Sequence, residues 1–252
     1  MIVDVHAHMT YEDYKEDIDE VIKRAEKEGV VVIISAGTNN KNNIATLELA
    51  KKYKIIKPAL GLYPLEALEF SEKEIDSTLD FIKKNKKNII AISEVGLDYH
   101  SITDQNEKQK KLFQRIIKLG EETKLPLIIH SRKAELDVIE LLEKSKLKKI
   151  VMHCFGGNLK LVKRIENNGW FLSIPTNIVF SSHFQAVVNQ TSISNILTET
   201  DAPYLSPVKG TRNEPSFIKH TIKKISEIKS LDAKEVENII YMNFQRLFLE
   251  KI

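Results

Sequence analysis

Six side chains suited to metal ligation each end a short apolar run. They are His6 and His8 in VDVHAH, Glu94 in AISEVG, His130 in PLIIH, His153 in IVMHCF and Asp201 in ILTETD. Residues two apart on a strand face the same side, so His6 and His8 form a chelating pair, with Ile2 and Asp4 deeper on that face and Val3, Val5 and Ala7 opposite. A lone histidine at a strand end is more simply a hydrogen-bonded core residue. Two of them, beside an H-x-H pair, point to a metal. Glu94 shares its face with Ile90 and Ile92, where an ionised carboxylate is costly unless paired or metal-bound. Its two oxygens can bridge two cations. Asp201 can ligate a metal and take a proton from water. Glu199, one step deeper on the same face, reads equally as a group orienting a ligand or water and as half of a buried ion pair. Six N/O ligands exceed what one tetrahedral ion uses and suit two divalent cations about 3.5–4 Å apart. Histidine favours Zn, Fe, Co or Ni, while the carboxylates admit Mg or Mn.

Polar residues follow these runs. Arg132 lies two residues after His130, and Lys209, Arg212 and Asn213 follow Asp201. Together they are candidates to hold a phosphate, with arginine giving bidentate contacts; for Lys209 an ordinary loop charge is the better reading. Cys154, beside His153, reads as a small buried thiol rather than a reactive one.

Such ligands must be brought together by the elements that carry them. Short runs rich in Ile and Val, bounded by Gly, Pro, Asn or charge, predict strands at 2–8, 30–36, 56–62, 89–95, 127–130, 149–155, 170–174 and 196–201. Helical patterns lie between them. Residues 14–27 carry the stripe Ile18, Val21, Ile22 and Ala25; 106–124 carry Leu112, Ile116 and Leu119; 133–144 carry Leu136, Ile139 and Leu142. Two further helices are expected at 215–228 and 232–249. Eight strands alternating with helices predict a single (β/α)8 TIM-like barrel over residues 1–252, with additional C-terminal helices. The rival, an open doubly wound sheet, would not bring so many strand ends to one rim.

The bulk properties agree. A barrel of this kind takes about 250 residues, and the chain has 252, of which 42% are hydrophobic and 29% charged. A net charge of +3 neither demands nor excludes a nucleic-acid partner; the lysine clusters at 83–87, 108–111 and 223–224 read as solvated helix surface. One cysteine allows no internal disulfide and fits a reducing compartment. No apolar leader or membrane span is expected, so the protein is placed in the cytoplasm, as a monomer.

The stretches VDVHAHM, SEVGLDYH, LPLIIHSRKA, MHCFGGN, TETDAPYLSP, GTRNEPSF and NFQRLF occur in the order found in the TatD family of metal-dependent deoxyribonucleases, among the amidohydrolase-like barrels. The chain resembles that family over residues 2–248. The resemblance implies hydrolysis of DNA phosphodiesters, often as a 3′-to-5′ exonuclease. It also implies divalent metals held by His6, His8, Glu94, His130, His153 and Asp201. One departure stands out: where the family carries G-x-H-P, this chain reads GLYP, with Tyr63 in the histidine's place. Tyrosine can hydrogen-bond a phosphate or stack on a base, but it is no near-neutral acid. The expected activity is therefore metal-assisted cleavage of single-stranded DNA. Glu94 and Asp201 serve the chemistry, and Arg132, Arg212, Asn213 and Tyr63 hold substrate. The alternatives are an amidohydrolase acting on a small amide or ester, and a non-catalytic, metal-stabilised binding module.

Overall fold

The computed structural model describes residues 1–102 and 104–250. Eight parallel strands pair in sequence order: β1 Ile2–Ala7, β2 Val30–Ala36, β3 Ile56–Leu60, β4 Ala91–Asp98, β5 Leu127–Arg132, β6 Ile150–His153, β7 Phe171–Ile174 and β8 Ile196–Thr198. The seam between β8 and β1 is closed by a few polar contacts. The Thr198 hydroxyl donates to the Val3 carbonyl at 2.7 Å. Asp201 N donates to His6 O at 2.9 Å, and His8 N to Ala202 O at 2.7 Å. The result is a nearly closed TIM-like barrel. Its strands are buried on both faces, as an all-parallel sheet requires, and so read as continuous Ile/Val runs rather than alternating ones.

Helices follow each strand: α1 Ile18–Lys27, α2 Asn40–Lys52, α3 Glu72–Lys84, α4 Asn106–Thr123, α5 Glu135–Glu143, α6 Leu159–Asn167, α7 Ser182–Gln190 and α8 Ile218–Lys229. A further helix, α9 Ala233–Phe244, continues into a π-helical turn at Gln245–Leu249. Both α8 and α9 pack over β1 and β8, so they reinforce the sparsely bonded seam. The predicted stripes on α1 and α4 are the faces that are buried: Val21, Ile22 and Ala25, and Leu112, Ile116 and Leu119. Each fully buried aliphatic side chain contributes roughly 1.5–3 kcal/mol. In α5 the expected stripe needs correction. Ile139 and Leu142 are buried as expected, but Leu136 is exposed, and Val138 joins the buried face in its place. The cause lies upstream, where Lys133 takes φ 58° and delays the helix start to Glu135.

Two strand ends also differ from expectation, with consequences for the site. β4 begins later and runs on to Asp98, so Glu94 sits within the strand rather than at its tip. Its register against β5 shifts between Ile92 and Val95. β8 stops at Thr198, leaving Glu199, Thr200 and Asp201 on the connection that crosses to β1. No described helix is long and apolar enough to cross a membrane.

Candidate metal centre

All six candidate ligands meet at the C-terminal end of the barrel. The centre is organised around Glu94, 4% exposed. Its Oε2 faces His6 Nε2 at 3.8 Å and His8 Nε2 at 3.4 Å. Asp201 Oδ1 completes that side, 3.6 Å from His6 Nε2 and 3.5 Å from His8 Nε2. The other oxygen, Oε1, faces His130 Nδ1 at 2.8 Å and His153 Nε2 at 3.1 Å. The two halves touch through the His6 and His153 rings, stacked with centroids 4.0 Å apart.

Close backbone packing makes this possible. A Cβ on Gly61 would lie 2.2 Å from Glu94 N, and one on Gly96 would lie 1.9 Å from His130 O. Gly96 also takes φ 142°, a conformation that side chains rarely adopt. Among the described residues, four of the six non-glycines with positive φ belong to the rim: Lys133, Cys154, Asp201 and Leu205. Such backbone persists where the surrounding structure over-determines it, as at functional sites.

The donor set fits divalent cations. His6 Nε2 is wholly buried, points at two carboxylates and has no hydrogen-bond partner among the described residues. Burial, with His153 beside it, drives the proton affinity of His6 well below the ordinary imidazole value. A neutral imidazole with an orphaned nitrogen is the form that binds metal. Burial opposes ionisation of Glu94, yet hydrogen bonds and charge from His130 and His153 hold it well below the usual carboxylate range. This pocket therefore calls for positive charge between an ionised carboxylate and its imidazoles.

Further carboxylates lie behind the ligands. Asp98 Oδ2 accepts from His130 Nε2 at 2.9 Å and from the Tyr63 hydroxyl at 2.8 Å. Although burial raises the Asp98 pKa, those bonds and the His100 N–H bring it down to about 2. Glu199 accepts from Cys154 N at 2.8 Å and from the Ser173 hydroxyl at 2.5 Å, and lies 3.7 Å from His153 Nδ1. It therefore faces the buried His153 imidazole across 3.7 Å, a distance too long for a hydrogen bond to Nδ1. Asp4 joins β1 to the β8 connection, accepting from Thr200 N at 3.0 Å and Thr200 Oγ1 at 2.5 Å. Burial pushes its carboxyl up to about 8. Burial, together with the nearby Glu199 and Asp201 carboxylates, pushes the Cys154 thiol well above its ordinary value, in keeping with an inert sulfur.

A cavity of about 770 Å³ opens over the centre, with Arg132, Tyr63, Tyr11 and Tyr204 in its walls. Arg132 is exposed there and has no carboxylate within ion-pair distance among the described residues. Two of the expected substrate contacts are engaged elsewhere. Arg212 grips Asp17 with both terminal nitrogens, at 2.9 and 2.6 Å, and lies over the Tyr14 ring. Asn213 is wholly buried and donates to Thr176 Oγ1, Thr200 O and Tyr204 O. Both brace the loop after β8 rather than face the cavity. Asp98, Tyr11 and Tyr204 also reach the site, although none of them ends an apolar run. Asp98 is two residues beyond Gly96 and four beyond Glu94 in one strand, which continues past the apolar run that ends at Val95.

A family model for TatD related DNases matches residues 3–249. The chain is 37% identical over 251 residues to an uncharacterized metal-dependent hydrolase of Methanocaldococcus jannaschii, covering 99% of this chain and 98% of that one. It is 31% identical over 258 residues to the deoxyribonuclease TATDN3 of Homo sapiens, covering 98% and 94%. Among solved structures, a TatD homolog from Escherichia coli superposes with a TM-score of 0.93 at 26% identity, covering 99% and 98%. A TatD-family hydrolase from Entamoeba histolytica gives 0.91, also at 26%, with the same coverage. The chain belongs to the TatD family and is a metal-dependent hydrolase.

Proposed function

We propose that this hydrolase cleaves DNA phosphodiesters, removing nucleotides from the 3′ end of single strands with the help of two divalent cations. The observation that carries the reading is the division of Glu94, one oxygen toward His6, His8 and Asp201 and the other toward His130 and His153. His6, His8, Asp201 and Glu94 Oε2 would hold one cation, and Glu94 Oε1, His130 Nδ1 and His153 Nε2 the other. When bound, such ions supply Lewis acidity that makes water a nucleophile near neutral pH and offsets charge on phosphoryl oxygens.

The protein's own groups do the rest. Asp201, the more exposed of the two central carboxylates, orients the attacking water and accepts its proton. Arg132, unpaired at the cavity wall, holds the phosphate next to the scissile bond. The Tyr63 hydroxyl already donates to Asp98, so its part is to fix Asp98 and present its ring edge to His130, 5.1 Å away. Tyr11 and the half-exposed Tyr204 offer faces for unstacked bases, which favours a single strand. One chain supplies every ligand, so the proposed unit is a monomer, a single domain over residues 1–252. Its lone thiol suits the cytoplasm.

The test uses a 5′-labelled single-stranded oligonucleotide with Mg²⁺ or Mn²⁺ and elemental analysis of the protein. A ladder shortening from the 3′ end is expected, abolished by EDTA and by Asp201→Asn. Cleavage that survives both would exclude this mechanism. An amidohydrolase would turn over small amides or esters and be indifferent to Arg132→Ala.

A further inference from the structure

The opposite end of the barrel carries a second cavity, of about 920 Å³. It is framed by the chain entering β3, β4, β5 and β6 and capped by α9 with its π-helical turn. Its walls are apolar. Val32, Ile89, Leu147 and Phe248 each retain 7–9% exposure where they face it. Phe244 and Phe248 form an aromatic flank with centroids 5.2 Å apart.

The rim is strongly basic. Lys57, Lys87, Lys124, Lys146, Lys148 and Lys149 surround the opening, against only Glu121 and Glu250. Among the described residues, none of the six lysines lies within ion-pair distance of a carboxylate. Lysines on the helical flanks do: Lys23 with Glu20, Lys51 with Glu48 and Lys163 with Glu166, each at 2.7 Å. Glu121 is already occupied by the Lys146 backbone N–H at 2.8 Å, and Lys149 Nζ donates to the Glu250 carbonyl at 2.5 Å. Lysine stems readily cover apolar surface while keeping the ammonium in water. Here they line the opening of the hollow.

We propose that this cavity binds an acidic amphiphile, a molecule with an apolar body and a carboxylate or phosphate head. The body replaces water against Val32, Ile89, Leu147 and Phe248, and the head meets unpaired ammonium groups at the rim. Ligand cavities of about 300–1,000 Å³ with mainly apolar walls and a few convergent polar groups take ligands of drug size. A medium-length acyl chain with an acidic head matches that volume and that charge. Nucleic acid fits the charge but not the apolar walls.

Titration calorimetry of the full chain with decyl phosphate and with decanoate, each below its micellar range, tests the assignment. Saturable binding at one site is expected for both anions. Decanol and decyltrimethylammonium should bind at least tenfold more weakly. The double variant Lys124→Glu/Lys148→Glu, at two exposed positions remote from the metal centre, should weaken the anions at least tenfold. Leu249→Glu, which puts negative charge at the mouth, should act in the same direction. Thermal melting and metal-dependent hydrolysis of both variants should match the parent, which keeps folding separate from binding. The proposal is overturned if neither anion saturates by low-millimolar concentration, or if the cationic amphiphile binds as tightly as the anions. Affinity unchanged in the double variant overturns it too. Displacement of decyl phosphate by a short oligothymidylate would reassign the face to nucleic acid.

Discussion

Two polar clusters flank the seam where β8 returns to β1, and they are built on opposite rules. In the cluster of Asp17, Arg24, Arg212 and Glu214, every charge has its counterpart. Arg24 reaches Glu214 at 2.7 Å and Asp17 at 3.5 Å, and Arg212 reaches Asp17 at 2.6 Å. Two guanidinium groups face two carboxylates; Arg24 donates to both Glu214 oxygens, and Ser216 donates as well to Oε1. In the cluster around Glu94, four carboxylates stand among four imidazoles, Asp98 and Glu199 lying behind His130 and His153, yet the buried His6 Nε2 has no hydrogen-bond partner among the described residues. A buried polar atom without a partner costs about 1–3 kcal/mol, so it persists only where something else meets it. The matched cluster pins a loop. The unmatched one is built for a ligand that the polypeptide does not supply.

Removing the centre of the unmatched cluster should have the largest effect. Glu94→Gln keeps the shape but removes the charge proposed to bridge two cations. We expect hydrolysis to fall on the order of 10³-fold, comparable to loss of a principal electrostatic group in other active sites. The melting temperature of the chelated protein should barely move. Added metal should raise it in the parent and not in the variant, by the linkage between binding and folding. A metal-induced rise retained in Glu94→Gln would sink the bridging role.

Next in size is the group that aims His130. Asp98→Asn removes the carboxylate that fixes the Nε2 proton and so presents Nδ1 to the centre. Loss of such an orienting partner typically costs about 10–100-fold in metal affinity or activity. The expected signature is a higher metal concentration for half-maximal activity, with much of the rate recovered at saturating metal. Tyr63→Phe, which removes one bond to the same carboxylate, should show the same pattern more weakly.

A pair of arginine truncations sets the two clusters against each other. Arg132→Ala should raise the KM for single-stranded DNA about tenfold, the loss of roughly 1.4 kcal/mol of binding, and leave the melting temperature unchanged. Arg212→Ala should leave the activity of the folded enzyme intact. It should lower stability by about 1 kcal/mol, because its pair with Asp17 is partly exposed. The reverse result for either residue would erase the distinction.

These two arginines also mark the limit of what the amino-acid string conveys. Both follow a ligand in a rim loop, and by type and position they look alike. Only the fold reveals that Asp17, nearly two hundred residues earlier, waits for one of them. The six ligands were legible because strand periodicity is short and each apolar run ends at its polar residue. Asp98 lies on the same two-residue spacing from Glu94, but it stands beyond Val95, where the apolar run gives out although β4 continues. Helix α5 was placed with Ile139 and Leu142 on its buried face, but Leu136 was not, since it falls in the exposed first turn of a helix that starts only at Glu135.

The smallest expected effect lies within the matched cluster and depends on pH. Burial opposes ionisation of Glu214, but Arg24 and Ser216 hold its pKa below the ordinary 4.5. A carboxyl group depressed in the folded state adds stability above its unfolded pKa and loses it as pH falls through the folded value. Glu214→Gln should therefore destabilise the protein by about 1 kcal/mol at neutral pH, the scale of one charge-assisted hydrogen bond. The gap from the parent should narrow as pH drops below about 4.5, because the parent then protonates the same oxygen. Urea titrations of both proteins between neutral pH and the acid range measure that gap directly. If it stays constant down to the parent's acid transition, Glu214 is held by packing alone, and the charge-matched description of this cluster fails.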